Sequence, residues 1–378
     1  MAMDRLFQLM KDKKASDLFM TVASPIHIKI NGHLLPINQQ TMDNATIKAL
    51  LGEVVSDAQM QELEAHNELN MGIPVRGLGS FRLSAFRQRG SISAVFRYIP
   101  GDIPKLADLH VPPVLADIIM EKRGLILVVG ATGSGKSTTI ASMLDHRNAM
   151  KTGHILTLED PIEFLFSNKK SIVNQREIGI DAESLKIALK NALRQAPDCI
   201  LIGEIRDKDT MASALAYAQS GHLVVATLHA NNSYHALNRI INFYPLENRP
   251  SLLPDLAATV KAIISQRLVM AVNQTRRAAV EVLVNTRHIA ELIEAGEIGQ
   301  IKEALEKSMS PGSQTFEQAL MQLIKDGVIT QEEGLANADS ATNLYWLLNN
   351  AETTKQAPPE PEPKKDDGPT FTEFTLNV

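Results

Sequence analysis

Hydrophobic and polar residues alternate over several stretches in the first hundred positions. Residues 26–30 alternate isoleucine with His and Lys and lead into Asn31-Gly32, a dipeptide that signals a hairpin between alternating runs. Two further alternating stretches flank a second turn, at Arg89-Gly90, and helical spacing separates them from the first hairpin. Residues 1–99 are therefore predicted to form a small α+β domain.

The rest of the chain follows a different pattern. Short, wholly apolar runs are separated by helical segments, which indicates buried strands of a parallel α/β sheet; the runs are 125–129, 155–158, 199–202 and 223–226. The pattern predicts helix from Ala279 to about Leu348. Prolines and glycine at 100–113 favour neither helix nor sheet and predict an interdomain linker, so that 114–350 would form the second domain.

The final segment, 351–378, is rich in proline and charge and is predicted to be disordered. It ends in an apolar cluster at 371–376, which is either part of a disordered tail or a docking peptide on a flexible tether.

Composition narrows the class of protein. Hydrophobic residues make up 44% of the 378 residues and charged residues 21%, as in ordinary globular chains. The 38 basic and 43 acidic residues give a net charge of -5, which does not favour nucleic-acid binding. No apolar run approaches the ~18 residues of a membrane span, so direct membrane insertion is not expected. The single cysteine, Cys199, lies in an apolar run and is predicted to be a buried core thiol in a reducing cytoplasm.

One segment carries a strong chemical signal. Residues 130–137 read Gly-Ala-Thr-Gly-Ser-Gly-Lys-Ser, the GxxxxGK[ST] pattern, directly after a predicted strand and at the start of a predicted helix. Glycines let backbone amides close around a phosphate, the lysine reaches the β/γ oxygens and the serine hydroxyl holds Mg²⁺. The residues predicted to bind nucleotide are Gly130, Ala131, Thr132, Gly133, Ser134, Gly135, Lys136, Ser137 and Thr138.

Acidic residues follow two other predicted strands. Glu159, Asp160 and Glu163 come after the run at 155–158, where ligands sit in open α/β sheets, and Glu204 follows the run at 199–202. Such carboxylates are suited to orienting an attacking water and to holding the hydration shell of Mg²⁺. The alternative for the first group is a solvated acidic turn. Arg206 and Asp207 are expected to form a local ion pair with a structural role.

Two histidines bracket the run at 223–226. His222 and His229 lie about 20 Å apart along a strand and on opposite faces, which excludes a shared metal site. Each is either a sensor that donates a hydrogen bond to a phosphate or a neighbouring subunit, or a satisfied histidine at the end of a strand.

Together these motifs resemble one family, the ATPases of type II secretion and type IV pili, and within it the PilT and PilU retraction motors. The resemblance covers residues 1 to about 350 and includes the Walker A, acidic, Walker B and histidine motifs in order. It implies an N-terminal PAS-like α+β domain before a RecA-like P-loop domain with a helical C-terminal part. It also implies that Glu163 is the catalytic base, that Glu204 supports Mg²⁺ and the γ-phosphate, and that both histidines couple nucleotide state to domain position.

The N-terminal domain carries Arg82 and Arg97 where the family places arginines that reach a nucleotide. The resemblance therefore implies that both stabilise phosphoryl charge, assembled across a subunit or domain boundary; the alternative is that they are exposed strand arginines. One segment departs from the PilT pattern Ala-Ile-Arg-Asn-Leu-Ile-Arg-Glu. Ala290 and Glu294 replace both of its arginines, which makes the chain look more like PilU, the paralogue that assists retraction.

The expected function is thus ATP hydrolysis with Mg²⁺ by a homo-hexamer that drives pilus retraction. Its expected partners are a PilT-like paralogous motor and an inner-membrane pilus platform protein, and its expected location is the cytoplasm beside that membrane. Two other functions remain open on the sequence: a RecA-like nucleic-acid motor, and a nucleotide-binding adaptor with feeble turnover.

Overall fold

The structure, a computed structural model, describes residues 2–353 apart from Asn31 and Arg76. The apolar cluster at 371–376 and nearly all of the predicted disordered segment lie outside these residues, as does Asn31 of the predicted hairpin. No helix among the described residues is both long and apolar enough to cross a membrane.

The first part of the chain folds into a six-stranded antiparallel sheet with helices beside it. The strand order is β3-β2-β1-β6-β5-β4. The strands are β1 (Asp17–Met20), β2 (His27–Ile30), β3 (His33–Pro36), β4 (Glu68–Val75), β5 (Gly79–Gln88) and β6 (Ser91–Pro100). The helices are α1 (Ala2–Asp12), α2 (Asn44–Leu51) and α3 (Asp57–His66).

Helix α1 packs on one face of this sheet and covers its apolar side chains. It is amphipathic and buries Met3, Phe7 and Met10. The Phe7 ring stacks on Phe81 of β5 with 3.9 Å between centroids, and it meets Phe96 of β6 edge-on at 5.5 Å. Apolar residues at alternate positions of β5 and β6 therefore face the helix.

The predicted turns agree with the strand pairing. Arg89 and Gly90 join β5 to β6 and have φ of 49° and 78°, the positive values that a two-residue hairpin turn requires. Strands β2 and β3 pair antiparallel on either side of the first predicted turn, with Ile30 opposite His33.

The second part of the chain is built on a seven-stranded sheet with the order β13-β12-β7-β11-β10-β8-β9. All pairs are parallel except β12–β13. The strands are β7 (Gly124–Val129), β8 (Gly153–Glu159), β9 (Ser171–Glu177), β10 (Cys199–Ile202), β11 (Leu223–Leu228), β12 (Val260–Met270) and β13 (Arg276–Val284). The accompanying helices are α4 (Val114–Ile118), α5 (Lys136–Met150), α6 (Leu185–Ala192), α7 (Lys208–Gln219), α8 (Ser233–Asn242) and α9 (Arg249–Thr259).

The central strands are buried on both faces, as their continuous apolar runs predicted. Every residue of β7 and β10 is buried. Cys199 is a free, buried cysteine, as predicted, and burial raises the pKa of its thiol to about 11.

The prediction of helix from Ala279 onward is wrong at its start. Residues 276–284 form β13, antiparallel to β12, and the first helix of the C-terminal part begins at Arg287. Ala279, Val280, Val282 and Leu283 are all buried, so the strand lacks the polar alternation that marks a half-exposed strand.

The C-terminal part is helical beyond β13. Its helices are α10 (Arg287–Glu294), α11 (Ile301–Glu306), α12 (Phe316–Lys325), α13 (Gln331–Asn337) and α14 (Ala341–Thr353). Phe316, Leu320, Ile329 and Leu344 form a cluster that also includes Val269 of β12. This helical part is therefore packed directly on the sheet edge.

The segment 100–113, predicted as a linker, starts at the last residue of β6, and its residues 101–113 contain only a 3₁₀ turn, at Leu106–Leu109. The Ser142 hydroxyl of α5 donates to the Pro104 carbonyl (2.7 Å). The predicted domain boundaries stay predictions.

Candidate nucleotide-binding site

The glycine-rich segment 130–135 forms the turn between β7 and α5, in the strand–loop–helix context that its motif requires. Gly130, Gly133 and Gly135 have φ of 152°, 79° and 86°, values that favour glycine. A Cβ on Gly130 would lie 2.5 Å from the Gln266 carbonyl oxygen, so the loop also needs glycine for space. The amides at the start of α5 are thus available to an anion at this turn.

Lys136 is drawn back over its own loop. Its Nζ donates to the carbonyl oxygens of Gly130 and Ala131, both at 2.9 Å, and the residue is 9% exposed. Burial lowers the pKa of the Lys136 ammonium, while the carboxylates of Glu204 and Glu163 raise it. The ammonium is thus bonded to its loop and shares the cleft with two carboxylates.

Gln266 of β12 fixes the loop from beneath, a contact that the sequence did not reveal. Its amide nitrogen donates to the Ser134 carbonyl (2.8 Å) and its amide oxygen accepts from the Thr139 hydroxyl (2.8 Å). The Ser134 hydroxyl oxygen is buried and has no hydrogen-bond partner among the described residues. Ser134 does not line the cleft, so Gln266 and Ser134 act on the loop from the side away from it.

The acidic segment after β8 supplies one wall of the site. Glu159 accepts from the Thr157 hydroxyl (2.6 Å) and from the Gln175 amide (3.2 Å), and burial raises the pKa of its carboxyl. The next residues, Asp160 and Glu163, line the cleft. Glu159 is thus largely satisfied within the protein, whereas Glu163 lines the same cleft as Lys136 of the loop.

The Walker B-like segment supplies the facing wall. Glu204 follows β10, and its Oε2 accepts from Arg206 Nε at 2.7 Å. Its Oε1 lies 3.3 Å from His229 Nε2, so that the ends of β10 and β11 meet at this carboxylate. The side chain of Glu204 is 19% exposed.

The prediction of an ion pair between Arg206 and Asp207 is wrong, because the Asp207 carboxylate caps a helix instead. Asp207 is the N-cap of α7 and accepts from the Thr210 amide at 2.8 Å, which leaves Arg206 to pair with Glu204. Arg206 also lines the cleft. Its place two residues after a strand-end glutamate was the signal that could have identified it as a site residue.

These groups surround a cleft of about 420 Å³ at the carboxyl ends of the parallel strands. Its polar lining is formed by Thr132, Lys136, Ser137, Glu159, Asp160, Glu163, Glu204, Arg206, Asp207, Thr210, Thr227 and His229. Apolar residues, including Phe164 and Phe166, also line it. The cleft thus joins a phosphate-type loop, an ammonium and carboxylates in one partly enclosed space.

Three predicted site residues lie elsewhere. His222 is at the opposite end of β11, where its Nδ1 is 3.0 Å from the Ser220 hydroxyl. Arg82 and Arg97 face each other across β5 and β6 in the first sheet. Arg97 Nε is paired with Asp17 (2.9 Å), and Arg82 Nε is buried with no hydrogen-bond partner among the described residues. None of the three lines the cleft of this single chain.

The predicted metal residues remain predictions. In the described part of the chain no group of three or more His, Cys, Asp or Glu side chains is arranged to hold a metal ion. The Ser137 hydroxyl and the Glu204 carboxylate both line the cleft, together with Glu159 and Asp160. These are oxygen donors, the type that Mg²⁺ takes when phosphates and water complete its shell.

Comparison with known proteins identifies the family. The model of the type II/IV secretion system protein family matches residues 2–336. The type IV pilus ATPase PilU of Pseudomonas aeruginosa is 44% identical over 92% of this chain and 91% of its own. PilT, the pilus retraction ATPase of the same organism, is 37% identical over 87% of this chain and 96% of its own.

A solved structure agrees with these sequence matches. The crystal structure of the pilus retraction motor PilT with bound ADP superposes with a TM-score of 0.84 at 38% identity, and covers 90% of this chain and 99% of that one. The predicted fold, an N-terminal α+β domain before a P-loop domain with C-terminal helices, is thereby confirmed. The chain belongs to the type II/IV secretion system protein family.

Proposed function

We propose that this protein is an ATP-hydrolysing hexameric motor of type IV pilus retraction and twitching motility, and that it acts as a PilU-like accessory to a PilT-like motor. The observation that carries the proposal is that Lys136, bonded to the carbonyls of its glycine-rich loop, lines the same cleft as Glu163 and Glu204. The names of the relatives, a pilus ATPase and a retraction ATPase, support the pilus role.

ATP is the substrate that this cleft fits best. The amides of residues 133–137 and the start of α5 would bind the phosphates, and Lys136 would leave the carbonyls of Gly130 and Ala131 to reach phosphate oxygens instead. This exchange is favourable because a charge-assisted bond to phosphate is stronger than one to a neutral carbonyl.

The carboxylates of the cleft would have two roles, accepting a proton from water and holding Mg²⁺. Glu163 would accept the proton of the water that attacks the γ-phosphate, and Glu204 would be held in place by Arg206 and His229. Ser137, with Glu204, Glu159 and Asp160 around it, would hold Mg²⁺ through oxygen donors and water; the ion, when bound, neutralises phosphate charge.

The lysine gives the first test. Replacing Lys136 by Ala removes the ammonium that offsets phosphate charge, so ATP turnover of the purified protein should fall by about 10²-fold or more. Lys186→Ala, which removes an exposed ammonium from α6, is the control and should leave turnover unchanged. Equal rates for the wild type and Lys136→Ala would contradict the proposed site.

The accessory role is supported by the two pilus relatives and by α10. Identity to PilU is 44%, against 37% to PilT, and α10 carries Ala290 and Glu294 in place of the two arginines of the PilT pattern. The same proposal includes assembly into a hexamer and a cytoplasmic location beside the inner membrane. It also includes two partners, a PilT-like paralogous motor and an inner-membrane platform protein. The domain limits 1–99 and 114–350 are part of it as well.

The proposal gives Arg82, Arg97 and His222 roles that depend on movement of the domains or on a neighbouring subunit. Since none lines the cleft of one chain, Arg82 and Arg97 would act on nucleotide after a change in domain position or from a neighbouring subunit. His222 would sense domain position from the far end of β11. A purified protein that binds ATP but hydrolyses it negligibly would instead favour the adaptor function.

A further inference from the structure

The connection between β11 and α8 links the nucleotide site to the C-terminal helices. It begins at His229, whose Nε2 lies 3.3 Å from Glu204. It ends at Asn232, which caps α8 by accepting from the His235 amide (3.0 Å). The next amide, that of Ser233, donates to the buried Glu281 carboxylate of β13 (2.7 Å). The short segment 229–232 is therefore fixed at both ends.

A second set of bonds holds the middle of this segment. The Arg267 guanidinium of β12 donates through Nη2 to the Asn231 carbonyl (3.2 Å) and through Nη1 to the Asn337 carbonyl at the end of α13 (2.6 Å). It also forms an ion pair with Asp339, between α13 and α14. The other carboxylate oxygen of Asp339 accepts from the side-chain amide nitrogen (Nδ2) of Asn232 at 2.7 Å.

Arg267 is thus a junction between the segment 229–232 and the C-terminal helices. Its surroundings restrict the position of the guanidinium group. Its side chain is 23% exposed and that of Asp339 13%, and the guanidinium stands 4.0 Å from the ring of Phe316 on α12. The planar guanidinium group donates hydrogen bonds in several directions and stacks on an aromatic ring, which the ammonium group of a lysine cannot do. The adjacent strand residue, Gln266, bonds to the P-loop, so β12 contacts both sides of the nucleotide site.

We propose that Arg267 and Asp339 are positioning residues for ATP hydrolysis, which hold His229 against Glu204 and make its position depend on that of the C-terminal helices. The inference rests on the proposed ATPase function. Neither residue lines the cleft, so each acts through the segment 229–232 rather than on the nucleotide. A force applied to α13 or α14 would move Asn337 and Asp339 and, with them, the histidine beside the Walker B-like glutamate.

The first measurement distinguishes a positioning role in hydrolysis from a purely structural role. Asp339→Asn keeps the shape of the side chain but removes the charge that orients Arg267. We expect kcat to fall about tenfold, while the Kd for ATP stays within about twofold. Asp209→Asn removes the same charge from an exposed ion pair with Lys186 and should change neither value. An unchanged kcat in Asp339→Asn, or equal losses in kcat and affinity, would overturn the proposal.

The second measurement tests the route through His229. If Asp339 acts by holding His229, then the double variant Asp339→Asn/His229→Gln should be no slower than His229→Gln alone. Multiplied losses would show independent action and refute the route. Arg267→Lys should behave as Asp339→Asn does, because it keeps the charge but loses the fork; full activity would count against the junction.

A third measurement does not depend on turnover. In the nucleotide-free protein, Asp339→Asn should speed hydrogen exchange at the amides of residues 231–233 by about tenfold, and Asp209→Asn should not. Unchanged exchange in Asp339→Asn would defeat the inference even if the ATPase is confirmed. A wild type without ATPase would defeat the proposed function, while the exchange result still decides whether Arg267 and Asp339 hold this segment.

Discussion

At the scale of single residues, the site works through charges placed where burial makes them effective. Lys136 is buried in the same cleft as Glu163 and Glu204, and burial lowers the pKa of its ammonium more than the two carboxylates raise it. A triphosphate would replace the loop carbonyls as its partner. Glu204 is held by a guanidinium on one oxygen and an imidazole on the other, which leaves its orientation little freedom.

Arg97 is the residue whose proposed role depends most on movement. In this chain it is paired with Asp17, and its side chain is 62% exposed. If the guanidinium reaches phosphoryl oxygens only in the transition state, Arg97→Ala should slow ATP hydrolysis by about 10³-fold and weaken ATP binding far less. Steady-state rates and nucleotide titration check this, with the exposed Arg87→Ala of β5 as control. Comparable losses in rate and affinity would show that Arg97 does not act in the transition state.

At the scale of elements, the P-loop is defined as much by β12 as by its own glycines. Gln266 bonds to the loop carbonyl of Ser134 and to the first turn of α5 through Thr139. The strand that carries this glutamine is parallel to β7 and runs on beyond it: Val129, the last residue of β7, pairs with Ser265, so Gln266 lies beside the start of the loop. The loop is therefore supported before any phosphate binds.

This support leads to a prediction for nucleotide affinity. Gln266→Ala leaves a buried carbonyl and hydroxyl without partners, which costs about 1–3 kcal/mol and loosens the loop. Affinity for ATP and for ADP should both fall about tenfold, as measured by titration calorimetry. Gln322→Ala on α12 removes one exposed hydrogen bond, to Asp326, and should leave affinity unchanged. Wild-type affinity in Gln266→Ala would show that the loop needs no support from β12.

The sequence predicted those elements that are marked by a short motif, and it missed contacts between residues far apart along the chain. The P-loop, the strands around it and the Arg89-Gly90 turn follow from short patterns, and the structure agrees with them. The strand β13 was missed because it is buried on both faces and shows no alternation. The Gln266 contact was missed because it joins residues 127 positions apart, a distance at which no motif carries information.

At the scale of the whole molecule, the two sheets meet beside the acidic wall of the site. Glu177 of β9 accepts from the Ile162 amide (3.0 Å), one residue before Glu163. A Cβ on Gly72 of β4 would lie 3.5 Å from the same carboxylate. Burial raises the pKa of Glu177, and the charge of Arg82 offsets a small part of this rise. The first sheet is thus in contact with the element that holds the loop of Glu163.

The proposed role in the cell can be tested by complementation. In cells with type IV pili that lack this gene, its return should restore twitching to the wild-type level only where a PilT-like paralogue is present. The reason is the loss of both arginines in the segment that PilT carries, at Ala290 and Glu294. Rates of twitching and single-pilus retraction give the readout. Full retraction by this protein in the absence of the paralogue would refute the accessory role.

The central claim is that the P-loop presents a triphosphate to Glu163, and hydrolysis by Glu163→Gln tests it most directly. The change preserves size but removes the proton acceptor, so ATP turnover should fall by about 10²-fold or more while ATP binding is retained. Glu183→Gln, an exposed glutamate before α6, is the matched control and should hydrolyse ATP as the wild type does. Equal rates for Glu163→Gln and the wild type would contradict the account.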